Sequence, residues 1–91
     1  MLHVARAEYV ADHRVHLWFN DGSYGEVDLC KALHGPIFEP LKDIAEFKQF
    51  RLEGHTLAWD NGADFAPEYL HALVHSEAPM ARSEKNVAFA I

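Results

Sequence analysis

Through residues 14–20 the chain alternates: Val15, Leu17 and Phe19 fall on one side, and Arg14, His16 and Trp18 on the other. A period of two marks a strand with one buried face. Residues 2–10 mix apolar and polar side chains at strand length, and residues 23–29 supply a returning strand. Residues 37–41, interrupted by Pro36 and Pro40, form an irregular apolar connection. Asp43-Ile44-Ala45-Glu46 has the spacing of a capping box and opens a short helix reaching about Lys48. Phe50 and Leu52 alternate with Arg51 and Glu53, and the chain turns at Gly54 and returns through Leu57 and Trp59. Asn61-Gly62 breaks that strand, and a last helix starts behind Pro67. The pattern predicts an α+β fold: a small antiparallel sheet from two β-hairpin units with two short helices, in the order β-β-β-α-β-β-α. Residues 1–77 form the domain, and residues 78–91 a tail.

Side-chain chemistry selects the register of the first hairpin. A two-residue Asp21-Gly22 loop would set Glu26 against Leu17 and Asp28 against Val15, placing carboxylates on the apolar face at a cost. A three-residue Asn20-Asp21-Gly22 loop is a type I turn closed by a left-handed Gly22. It pairs Leu17 with Gly25 and Val15 with Val27 inside, and Trp18 with Tyr24, His16 with Glu26 and Arg14 with Asp28 outside. Each outer match is aromatic or charge-complementary, contributing about 0.2–1 kcal/mol. The three-residue loop is expected. Gly25 opposite Leu17 then leaves an inner gap that something bulky should fill.

At 91 residues, with 49% hydrophobic and 12% aromatic side chains, the chain holds enough apolar matter for one core. Its single cysteine, Cys30, suits a reducing compartment, and no apolar run is long enough for a membrane span. A cytoplasmic protein is expected. The net charge of −6 includes two stretches without a base, Asp21/Glu26/Asp28 and Asp60/Asp64/Glu68. Nucleic-acid surfaces need clustered Lys and Arg, so direct nucleic-acid binding is not expected, whereas a basic protein partner is.

The turn around Asn20-Asp21-Gly22, the Phe38/Leu41/Phe47 connection and the corner over residues 57–70 together resemble the small bacterial DUF2442 domain. The resemblance covers about residues 3–73, and its strongest element is Trp59, Asn61-Gly62 and Asp64 ahead of Pro67. Family members usually carry proline where this chain has Asp60. The resemblance implies a compact α+β fold. Some members look like the antitoxin half of a toxin–antitoxin pair, and longer ones append a helix-turn-helix region. Residues 78–91 are too few for two helices and a turn, so the expectation is that this DNA-binding role does not carry over.

Candidate chemistry is sparse. His71 and His75 stand i, i+4 on the last helix with Glu68 beside them, a weak zinc-type spacing. Tyr69, Leu70, Leu73 and Val74 would occupy the opposite side, leaving both histidines in water, and no cofactor or metal is expected. Cys30 near His34 reads as a small buried hydrophobe rather than a nucleophile. Asp60-Asn61-Gly62-Ala63-Asp64 lacks the ligand alternation of a calcium loop; turn formation accounts for it, with Asp64 or a neighbour capping the helix. Trp18 and Tyr24 are either covered by a helix of the domain or form a binding surface. Val87, Phe89 and Ile91 alternate with alanines, as a strand added to a sheet edge would. The space at Gly25, the aromatic pair and the tail together predict a homodimer. No nucleophile dyad, acid–base pair or phosphate loop can be assembled, so no enzyme is expected. The function expected is protein binding, in the specific form of an antitoxin-like partner of a small basic toxin. The alternative is a ligand- or metal-sensing module built on the His71/His75 helix.

Overall fold

The computed structural model describes residues 1–77; the tail, with Val87, Phe89 and Ile91, lies outside the described residues. A three-stranded antiparallel sheet comprises β1 (Val4–Ala11), β2 (Arg14–Phe19) and β3 (Tyr24–Asp28), in that spatial order. Two short 3₁₀ segments, Cys30–Ala32 and Pro36–Lys42, lead to α1 (Ile44–Phe47). A second hairpin follows, β4 (Arg51–Glu53) with β5 (Thr56–Ala58), and then α2 (Pro67–Glu77). The expected α+β order is present, and the apolar connection at 37–41 proves to be 3₁₀-helical with Pro40 inside it. Asp43 caps α1 by accepting the Ala45 N–H at 3.0 Å, but its own N–H goes to the Pro40 carbonyl rather than to Glu46, so the box closes on one side only.

The β2–β3 register is the three-residue form: Trp18 lies opposite Tyr24, Leu17 opposite Gly25, Val15 opposite Val27 and Arg14 opposite Asp28. The Phe19 N–H donates to the Ser23 carbonyl at 2.9 Å, and Gly22, at φ +91°, donates to the Phe19 carbonyl at 3.1 Å. Asp21 Oδ1 accepts the Ser23 N–H at 2.9 Å and tightens the loop. One expected outer pair differs in chemistry: the Glu26 carboxylate turns to Arg14 rather than to His16 opposite. β1 is less regular than β3, with register breaks between Val4 and Arg6 and between Tyr9 and Ala11.

Inner-face Val15, Leu17, Phe19 and Val27 are buried with Leu29, Leu33, Leu41, Phe47, Leu57 and Leu70. Each such side chain contributes about 1.5–3 kcal/mol before ordering costs. α2 lies against the inner face of β3, where Val74 occupies the gap left by Gly25. A Cβ on Gly25 would stand 2.8 Å from Val74 Cγ1. The gap is therefore filled from within the chain, and Gly25 no longer argues for a second copy.

Aromatic rings tie the two sheets together. Phe47 meets Tyr9, His13 and Trp59 at centroid separations of 6.4, 4.8 and 5.8 Å, and Trp59 meets Phe65 at 5.9 Å. Trp59 is buried, and its indole N–H donates to the Phe47 carbonyl at 2.7 Å. Thr56, the buried polar residue of β5, donates its hydroxyl to the Phe65 carbonyl.

Candidate protein-binding face

Because β2 alternates and its inner residues are consumed by the core, its other side chains stand together on the outer face. The register aligns them into two rows across the sheet: Arg6–Trp18–Tyr24 and Glu8–His16–Glu26. The Arg6 guanidinium lies 4.6 Å over the Trp18 ring, a cation–π contact. His16 packs on Trp18 at 4.3 Å and stacks near-parallel on Tyr24 at 6.1 Å. Tyr24 is 64% exposed and Trp18 is half-buried. The charged residues are mutually engaged: Arg6 pairs with Glu8, and Arg14 with both Glu26 and Asp28. α2 packs on the opposite, inner face, so no described helix covers the aromatic pair. Neither Arg6 nor His16, although the alternation sets His16 on this face, was expected from the sequence as a contact residue. His16 could have been, by the same alternation that found Trp18; Arg6 could not, because the bulges of β1 hide its register.

The other candidate residues fall elsewhere. Trp59, Asn61 and Gly62 build a second turn of the same kind as the first. Trp59 exchanges bonds with Gly62 and Ala63 as Phe19 does with Gly22 and Ser23, and Gly62 stands at φ +94°. Asn61 Oδ1 accepts the Ala63 N–H at 3.0 Å, in the role of Asp21, while its Nδ2 donates to the Ile37 carbonyl at 2.8 Å. Asp60 pairs with Arg51. Asp64 bridges to Ala58 instead of capping α2, whose first bonds run to the Ala66 carbonyl. Beside this turn a half-open groove of about 500 Å³ runs between Leu41, Glu46 and Gln49 on one wall and Trp59 to Asn61 on the other.

His71 departs from its expected solvated setting. Its Nε2 lies 2.9 Å from Asp21 Oδ2 and its ring packs edge-on against Phe19 at 5.0 Å. His75 is exposed and donates Nδ1 to the His71 carbonyl at 2.8 Å. Tyr69, expected on the apolar side, is 45% exposed and stacks on Phe65 at 5.8 Å. Bonds from the Ser23 hydroxyl and N–H, and then from His71, hold the Asp21 carboxyl well below the usual carboxylate range. Among the described residues no group of three or more His, Cys, Asp or Glu side chains is arranged to hold a metal ion. Cys30 is exposed rather than buried, because it opens a surface 3₁₀ turn whose N–H is taken by the Asp28 carboxylate. No described helix is long and apolar enough to cross a membrane.

Comparison with known proteins agrees with this geometry. The crystal structure of a "putative DNA binding protein" from Nitrosomonas europaea superposes with a TM-score of 0.73 at 22% identity, covering 86% of this chain and 52% of that one. The likeness is one of fold, and this chain spans about half the length of that protein. No curated protein matches. The family model for DUF2442, described as a protein of unknown function, matches residues 4–76, and the chain belongs to that family.

Proposed function

We propose that this domain is a non-enzymatic protein-binding module whose outer sheet face is the contact surface, and that it acts in the manner of an antitoxin on a small basic protein. The observation that carries the reading is the open row Arg6–Trp18–Tyr24 with His16 stacked beside it. Aromatic residues and arginine are enriched at the centres of protein interfaces and dominate their energetics. The net charge of −6 favours a basic partner. The name of the Nitrosomonas protein raises DNA as a competing partner. Against it, both arginines of this face are tied to carboxylates, where a phosphate backbone requires clustered bases. A homodimer through the same face is the self-binding form of the proposal. Engagement of His71 Nε2 by Asp21 and of His75 Nδ1 by the His71 carbonyl disfavours a metal-sensing role for this helix.

The test is co-expression with the product of the adjacent reading frame, followed by titration calorimetry on the wild type and a Trp18→Ala/Tyr24→Ala variant. The expected result is a complex that the double variant weakens on the order of a hundredfold, as loss of two hot-spot aromatics does. Duplex DNA bound at physiological salt, with no protein complex, would replace this reading with a nucleic-acid one. A dimer mass in light scattering that the double variant abolishes would make the partner a second copy.

A further inference from the structure

Resting on the protein-binding reading above, we infer that the outer edge of β3 receives an extended basic segment of the partner as a fourth strand. The backbone pattern opens the edge. Phe19 bonds to Ser23 and the Leu29 N–H donates to the His13 carbonyl, so the bonded pairs of the β2–β3 ladder are 19/23, 17/25, 15/27 and 13/29. In an antiparallel ladder the intervening residues point their N–H and C=O away from the neighbouring strand. Those residues are Tyr24, Glu26 and Asp28; among the described residues no strand pairs with that side of β3, and no turn or loop bond reaches the backbones of Tyr24 and Glu26.

β1, the other outer strand, is protected differently: it carries two register breaks, and its Val4 N–H is taken by the His55 carbonyl. β3 has five unbroken pairs, and α2 meets it from the inner face through Val74 without bonding its backbone. Charge decides the occupant. The outer face along this edge presents Tyr24, Glu26 and Asp28, two carboxylates against the one guanidinium of Arg14. A second copy pairing antiparallel about Glu26 would set that carboxylate against its own image, which is unfavourable. A strand with lysine or arginine at alternate positions would instead place cations beside Glu26 and Asp28, and an alkyl stem beside Tyr24.

The probe is a short capped peptide alternating lysine and threonine, with a glutamate–threonine peptide as control, followed by amide exchange in NMR. The lysine peptide should slow exchange at Tyr24 and Glu26 on the order of tenfold while the control leaves them unchanged. Glu26→Lys/Asp28→Lys should exchange the preference of the two peptides; Glu26→Gln, the milder change, should weaken the response to lysine. Unaltered edge amides with both peptides, or equal slowing by both, overturn the inference. So does edge protection in the free chain that grows with concentration, which makes the occupant a second copy, or that disappears on deleting residues 78–91, which makes it the chain's own tail. A response at the Trp18 indole without slowing at the edge sinks the strand addition and leaves the aromatic face as the contact. Slowed edge amides, with Trp18→Ala/Tyr24→Ala binding the partner normally, keep the added strand and discard the face.

Discussion

Gly25 is the point of closest approach between sheet and helix, and what it lacks matters more than what it has. Its inner side is occupied by Val74 Cγ1, at 2.8 Å from where a Cβ would be. The φ angle there is not in the left-handed region, so the cost of a side chain is steric and not conformational. Gly25→Ala should destabilise the fold by about 1–3 kcal/mol, the range for overpacking a filled site. Val74→Ala opens a cavity when made alone, yet should recover part of the loss when combined with Gly25→Ala. A double-mutant cycle by urea denaturation checks this, and strictly additive losses would mean that the two sites do not share the space.

At the scale of elements, the contact between the first turn and α2 links residues 21 and 71, and it has a pH signature. The Asp21 carboxyl titrates below its ordinary value of 3.8 in the folded chain because the Ser23 donors, and then His71, favour the ionised form. A carboxyl depressed on folding stabilises the native state above its unfolded value. That contribution is lost as pH falls through the folded value. Stability should therefore decline below about pH 4, and Asp21→Asn should flatten the decline measured by thermal melts across that range. An unchanged acid limb in Asp21→Asn would remove the turn from the account. The first hairpin was legible because its own alternating side chains penalise the wrong loop length. The Asp21–His71 contact was not, since the helix pattern alone leaves His71 on a polar side and nothing local says which distant turn that side meets. Tyr69 and Cys30 were misread for the same reason: their exposure depends on what lies opposite them. Trp18 and Tyr24 were legible as a pair, whereas Arg6 lies between two breaks in β1 that periodicity cannot locate.

Over the whole molecule, the two sheets share one interior, in which Phe47 touches Tyr9 and His13 on one side and Trp59 on the other. A single cooperative unfolding unit follows. The two tryptophans report on different regions, Trp18 on the outer face of the first sheet and Trp59 on the buried junction. Trp18→Phe and Trp59→Phe variants should each give a fluorescence transition coincident with loss of far-ultraviolet circular dichroism. Separated midpoints within one variant would mean that the sheets melt apart. The second turn also bears on how the molecule ages. Asn-Gly is the dipeptide most prone to spontaneous deamidation, by attack of the glycine nitrogen on the side-chain amide. Here the Asn61 amide is held between Ile37 and Ala63, and the Gly62 N–H is committed to Trp59. The folded chain should therefore suppress this reaction, and Asn61 should deamidate faster in urea than in buffer when followed by peptide mass spectrometry. Equal rates in the two would show that the turn offers no protection. With Asn61 protected in the folded turn, the chemical lifetime of the molecule on the shelf is set by how often the fold opens, so any substitution that loosens the interior also shortens it.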